Sequence, residues 1–171
     1  PIDQLMGGRV EFEVADTGAL LYRASGVPIV VLAAIFQHSP SVLITRADTG
    51  VNTLADLHNR RAMLAGGFMN AELMSMLRQA GITSDDFTLV PGNTSIDVLI
   101  NGETDAYNGY TTNEPYLLEQ RNVPFRVFRP QDYGVDFYGD ILITRESLLE
   151  AQPEVVANFR QATIRGWEYA V

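Results

Sequence analysis

The chain contains no cysteine and no lysine. The first absence excludes a disulfide framework, thiol nucleophiles and thiolate metal sites. The second leaves arginine as all 12 basic residues, so no lysine amine is present to form a Schiff base. Positive charge is scarce as well: the 12 arginines face 21 acidic residues, giving a net charge of −9 with no basic run. Nucleic acid and anionic membrane surfaces are therefore poor partners. Long apolar runs are also missing. The longest, Val27 to Phe36, is interrupted by Pro28 and falls well short of the roughly 20 residues that cross a bilayer. No leader segment is recognisable, which fits a cytosolic chain, a mature chain or an excised piece of a longer one. What remains is a 171-residue chain, 46% hydrophobic and 19% charged. That is a globular composition, long enough to bury a core as one compact domain or two small lobes.

The most informative stretch runs from Val135 to Thr144, Val-Asp-Phe-Tyr-Gly-Asp-Ile-Leu-Ile-Thr. Two acids and two aromatics surround a glycine and lead straight into an apolar strand. Asp136 and Asp140 are poor strand formers, and Gly139 permits unusual backbone angles or a close approach. The pattern suits a loop that presents Asp136, Tyr138 and Asp140 to a ligand and is anchored by a buried strand. An acidic turn before a strand is also a common structural feature.

Similar junctions recur along the chain. Ile2, Leu5 and Met6 share a helical face that Gly7-Gly8 ends, and Glu11 to Ala15 alternates as a strand. Asp16 or Thr17 caps the helix that follows, at a turn whose N–H groups can bind an anion or a polar ligand edge, or form an ordinary cap. Pro28 to Phe36 is apolar on both faces, as in a buried strand, and Ser41 to Thr45 is a second such strand. The polar link between them, Gln37-His38-Ser39-Pro40, places an amide and an imidazole at a sheet end. Thr53-Leu-Ala-Asp56 is a capping box, and a second is expected at Thr94-Ser-Ile-Asp97. The strand Arg61 to Ala65 leads through Gly66-Gly67 into a helix over about 70–80. That glycine-rich loop can bring N–H groups to a ligand, but no Gly-Lys-Ser/Thr follows and it is not a P-loop. Phe87 to Val90 reads as another strand. The strand Asp105 to Tyr110 has a polar second half and meets a helix that begins near Pro115, placing Tyr110, Asn113 and Glu114 at the junction. After Val123 to Phe128, a short helix and then a long amphipathic one from Pro153 are expected. The long helix should bury Val155, Val156, Phe159, Thr163 and Trp167, with the single Trp as core.

Strands alternate with helices throughout, which predicts a layered α/β protein with largely parallel sheets. Boundaries near Arg46 and Tyr133 divide it into a discontinuous lobe, residues 1–46 plus 133–171, and an inserted lobe, residues 47–132. The polar loops would then face one cleft that closes on a small molecule.

Several motifs together resemble one family. Val14-Ala-Asp-Thr-Gly18, Ala34-Ile-Phe-Gln-His-Ser-Pro40, Thr112-Asn-Glu-Pro115, Tyr133-Gly-Val-Asp-Phe-Tyr-Gly-Asp140 and Gly166-Trp-Glu-Tyr-Ala170 look like the thiamine-pyrimidine-precursor branch of the periplasmic solute-binding proteins. That branch is related to nitrate-, taurine- and alkanesulfonate-binding proteins. The resemblance implies a type II periplasmic-binding-protein fold, two α/β lobes on a two-strand hinge, no catalysis and no cofactor. It further implies a periplasmic or extracytoplasmic location, with an ABC transporter permease as partner, or an attached membrane signalling module that reads the domain as a sensor. The family's opening strand and helix, with their aromatic ligand contacts, would precede the point where this sequence starts.

By the same resemblance, Asn113, Glu114 and Asp136 to Asp140 match motifs that line the cleft. Tyr110, Phe137 and Tyr138 can stack on a planar heterocycle, and Glu114, Asp136 or Asp140 can accept hydrogen bonds from ring amino groups. Acid-rich, arginine-poor loops disfavour nitrate or sulfonate and favour a neutral or cationic aminopyrimidine. The alternative is enzymatic. A eukaryotic branch of the superfamily makes the thiamine pyrimidine with its own histidine, a pyridoxal phosphate lysine and a cysteine-rich motif. Here His38 and His58 are the only histidines, and lysine and cysteine are absent. No catalytic or metal-ligating residue is expected.

Overall fold

The computed structural model describes residues 2–64, 71–91 and 95–170. The chain starts with α1 (Ile2–Met6), β1 (Phe12–Ala15), α2 (Ala19–Ala24), β2 (Ile29–Phe36), β3 (Ser41–Arg46) and β4 (Arg61–Met63). It continues through α3 (Ala71–Gln79), β5 (Thr88–Leu89), α4 (Asp97–Ile100), β6 (Ala106–Tyr110), α5 (Glu114–Gln120) and β7 (Phe125–Phe128). It ends with β8 (Gly139–Arg145), α6 (Glu146–Ala151) and α7 (Pro153–Ala170). Two compact units result, Pro1–Ser39 with Phe137–Val171, and Pro40–Asp136.

In the first unit the apolar strand anticipated after Gly139 is β8, the centre of a three-stranded sheet ordered β1-β8-β2. Both neighbours run antiparallel to it, with Ala15 opposite Ile141 and Phe36 opposite Gly139. Ile141 and Ile143 on β8 pack with Ile2, Leu5, Ala19 and Ile29. Arg145, at the end of β8, donates from Nη1 to the carbonyls of Leu5 and Val10, at 3.1 and 2.8 Å. Those bonds fix α1 over the sheet.

The second unit is a five-stranded sheet ordered β5-β4-β6-β3-β7. Both of its faces are covered. On β3 the alternation of side chains sends Leu43 into a cluster with Leu73, Met76 and Leu77 of α3, while Val42 and Ile44 join Leu99 and Leu118 on the opposite face. A strand buried on both sides needs an uninterrupted apolar run, as Val42-Leu43-Ile44 supplies. Across the sheet, Arg61 on β4 pairs with Asp105 at 3.1 Å and also donates to the Gly102 carbonyl at 2.8 Å. The capping box at Thr53 and Asp56 forms, opening a 3-10 turn over Leu54–Leu57.

Three expectations are corrected. The sheets are not largely parallel: β4 pairs parallel with β5 and β6, whereas β3 with β6, β3 with β7, and both pairs of β8 are antiparallel. Alternation of strands and helices fixes direction only where successive strands become neighbours, and β3 separates β6 from β7. The unit boundaries fall at 39–40 and 136–137 rather than near Arg46 and Tyr133. All of β3 is drawn into the second sheet, and Tyr133 packs against the cluster under α3.

The long helix α7 buries only Val156 among its described residues. Val155, Phe159 and Trp167 stay 46%, 42% and 44% exposed, because α7 has just a three-stranded sheet to lie on. Phe159 stacks on Phe12 with ring centroids 3.8 Å apart, and Trp167 meets Phe36 edge-on at 6.2 Å. A groove of about 630 Å³ between β2 and α7 is lined by Ala34, Phe36, Arg160, Ile164 and Trp167. At the start of α2 the Asp16 carboxylate accepts the Gly18 N–H at 2.6 Å, which is the capping bond expected of Asp16, although regular helix begins only at Ala19.

Candidate functional site

In the first unit the sheet register gathers six of the expected site residues at one end. Ala15 pairs with Ile141 and Phe36 with Gly139, so Asp16-Thr17 after β1, Gln37-His38 after β2, and Tyr138 and Asp140 at the start of β8 share that end. Asp16 lies one step beyond the last β1–β8 pair, opposite Asp140. Asp140 holds a left-handed backbone, φ 44°, which an aspartate tolerates better than most residues. Gln37, His38 and Tyr138 are exposed, whereas Asp16, Thr17 and Asp140 are half-buried. Gln37 turns its Nε2 back to the Ala34 carbonyl at 3.1 Å. Ser39, next along, is buried and donates its N–H to the Phe137 carbonyl at 2.7 Å, joining the two segments of this unit.

Burial raises the pKa of Asp16, the Gly18 N–H opposes that, and the charge of Asp140 adds to it. Burial also raises Asp140. A carboxyl raised in the folded state binds its proton more tightly there than in the unfolded chain. Its protonation therefore stabilises the fold fully below the unfolded value of 3.8, and that contribution is lost as pH rises through the raised folded value. Asp140→Asn keeps a side chain suited to the left-handed backbone and removes the buried charge. It is expected to raise the melting midpoint at pH 7 and to flatten the rise in stability on acidification. A lower midpoint at pH 7 would contradict this.

In the second unit, β6 ends beside the start of β3. Tyr110 pairs with Ser41, and the Thr111 N–H donates to the Pro40 carbonyl at 2.9 Å. Tyr110, Asn113 and Glu114 sit at this junction. Glu114, which opens α5, is committed to the turn: Oε2 accepts the Tyr110 N–H at 2.6 Å and Oε1 accepts Asn113 Nδ2 at 2.8 Å. The carboxylate fits because residue 109 is glycine. A Cβ there would lie 2.9 Å from Glu114 Oε2 and from Ile44 Cδ1. Asn113 is exposed and Tyr110 half-buried. Asp136, exposed, closes the second unit. Gly66 and Gly67, the expected glycine-rich loop, lie outside the described residues.

Asn108 and Gly109 were not singled out in the sequence, although an asparagine inside a strand was a signal, since the type is depleted from strands. His58 is at the surface, with Nδ1 3.2 Å from Asp86 Oδ1. Among the described residues no group of three or more His, Asp or Glu side chains could hold a metal ion. The end of the first sheet offers the carboxylates of Asp16 and Asp140, the amide of Gln37 and the ring of Tyr138; the end of the second offers the amide of Asn113 and the ring of Tyr110.

Residues 1–171 match the family model described as NMT1/THI5 like. A formylaminopyrimidine-binding protein of Halalkalibacterium halodurans is 25% identical over 176 residues, covering 100% of this chain and 53% of that protein. The riboflavin-binding protein RibY of Chloroflexus aurantiacus is 24% identical over 155 residues, 89% of this chain and 44% of the relative. A 4-amino-5-hydroxymethyl-2-methylpyrimidine phosphate synthase of Legionella pneumophila is 24% identical over 174 residues, 98% and 55% of the two chains. The chain thus spans about half the length of these curated relatives. Among solved structures, a putative periplasmic sulfonate-binding protein of Methylobacillus flagellatus superposes with a TM-score of 0.70 at 18% identity, over 96% of this chain and 52% of the other. That likeness carries the fold: a type II periplasmic-binding-protein architecture of two α/β lobes. The chain belongs to the NMT1/THI5-like family.

Proposed function

We propose that this chain is part of an extracytoplasmic binding protein for a small planar heterocycle of the aminopyrimidine class, and that it carries out no catalysis. One observation carries the reading: the hydrogen-bonding and aromatic loops of each unit collect at one end of its sheet, and their charged groups are acids. Asp16 and Asp140 suit amino groups of a ring, and Tyr138 and Tyr110 suit its faces. A sulfonate would ask for cationic donors, which none of these positions provides. The relative that binds a formylaminopyrimidine supports the same class, and the likeness in fold to a sulfonate-binding component of an ABC transporter supports delivery to an ABC importer. Hinge closure on the ligand, at the two chain crossings 39–40 and 136–137, belongs to the same proposal. So does the choice of reader, a permease or an attached membrane signalling module. Among the described residues no helix is long and apolar enough to cross a membrane.

The likeness to a pyrimidine phosphate synthase favours a second reading, an enzyme. Against it, the 171 residues offer no lysine or cysteine, and His58 is taken up at the surface with Asp86. A thermal-shift panel of aminopyrimidines, thiamine, riboflavin, purines and alkanesulfonates tests the ligand class, and mass spectrometry of the protein incubated with pyridoxal phosphate tests the enzymatic reading. The expected result is a raised midpoint with aminopyrimidines, with no pyrimidine formed and the mass of the protein unchanged. Formation of a pyrimidine with loss of mass from the protein, or a shift with sulfonates alone, would overturn the proposal.

A further inference from the structure

We infer that Asn108 is a specificity-determining contact in the second unit, its side-chain carbonyl reading an N–H of the ligand; this rests on the heterocycle-binding reading above. Asn108 lies in the middle of β6, in a sheet with apolar clusters on both faces. Alternation puts it on the same face as Ala106, which is buried under α3, and as Tyr110, which ends the strand at the candidate site. Asparagine is disfavoured at such a place unless its amide is used.

Half of that amide is used, and its use fixes the orientation of the other half. Nδ2 lies 3.2 Å from Ser41 Oγ and 3.4 Å from the carbonyl oxygens of both Val42 and Gly109. Carbonyl oxygens only accept, so the NH₂ group must face them, and the reverse orientation of the amide is excluded. Asn108 Oδ1 therefore points away from the strand backbone, and no hydrogen bond to it is formed among the described residues. A half-buried acceptor held in one orientation beside Tyr110 is suited to one N–H of a ring substituent. An exocyclic amine satisfies it. A methyl group of the same size leaves it desolvated and unpaired, and such an unmet polar group is what makes a site reject the wrong substituent. Ser41 is then a positioning residue, acting through its contact with Nδ2.

Calorimetric titration of the protein with 4-aminopyrimidine and with 4-methylpyrimidine tests this. The wild type is expected to prefer the amine by about tenfold or more, as the penalty for an acceptor that a bound ligand desolvates without pairing implies. Asn108→Ala should bring the ratio close to one, and Ser41→Ala should lower it partway, with melting midpoints as a check on folding. Equal affinity of the wild type for both pyrimidines would overturn the inference without any variant and leave the binding reading standing. A wild-type preference that survives in folded Asn108→Ala would overturn it equally. Binding of neither pyrimidine would remove both the inference and the reading on which it rests.

Discussion

Leu43→Ala is expected to destabilise the second unit by about 2–5 kcal/mol, the range for deleting a fully buried leucine. Leu43 is 0% exposed and sits on β3, the strand flanked by both β6 and β7. Its neighbours in the cluster include Leu73, Met76 and Leu77 from α3 and Phe128 from β7. These come from separate elements tied into one sheet-and-helix layer, so they cannot collapse readily into the space left behind. Trp167→Ala provides the contrast. The larger side chain is 44% exposed and meets Phe36 edge-on, so its removal leaves no closed cavity and should cost markedly less than Leu43→Ala. Urea denaturation of the two variants checks the order. A Trp167→Ala loss equal to or greater than that of Leu43→Ala would mean that α7 is covered more fully than its exposure indicates.

Gly109→Ala is expected to lower stability by about 1–3 kcal/mol, the usual range for overpacking a core, and to disturb the end of β6 as well. The added Cβ would stand 2.9 Å from Ile44 Cδ1, a side chain that is 0% exposed, and 2.9 Å from Glu114 Oε2. Ile44 is held by its own cluster, so the carboxylate is the group able to move. Moving it breaks the 2.6 Å bond to the Tyr110 N–H, which joins the end of the strand to the start of α5. Glu114→Gln removes the charge but keeps an acceptor for that N–H and should retain most of the stability. Glu114→Ala leaves the N–H unmet and should not. Equal stabilities of wild type and Gly109→Ala would show that the turn yields without loss, and would remove Glu114 from its structural role. The sequence alone suggested Glu114 as a ligand acceptor; its bonds to Tyr110 and Asn113 now make it first a part of the fold.

The sequence was most legible where a single local rule decided the outcome. The break from acids and aromatics to Ile141-Leu142-Ile143 marked a buried strand, and that strand is the centre of its sheet. Thr53 and Asp56 marked a cap, and Pro153 a helix start, because capping and proline geometry depend on few neighbours. Strand direction was not legible, since β6 and β7 are separated by a strand that comes from much earlier in the chain. Nor was the burial of α7. The spacing of Val155, Phe159 and Trp167 gives one apolar face, but how much of it is covered depends on the breadth of the sheet beneath. For the site, types and positions could be read but commitments could not. Nothing in Asn-Glu-Pro distinguishes a carboxylate that waits for a ligand from one that holds a turn.

The central claim is that the acidic and aromatic loops recognise an aminopyrimidine rather than an anion. Its most direct test is a calorimetric titration of the protein with a formylaminopyrimidine, repeated in the presence of excess methanesulfonate. The account predicts saturable binding of one pyrimidine per chain that the sulfonate does not displace. Saturable binding of the sulfonate, with no heat from the pyrimidine, would contradict it.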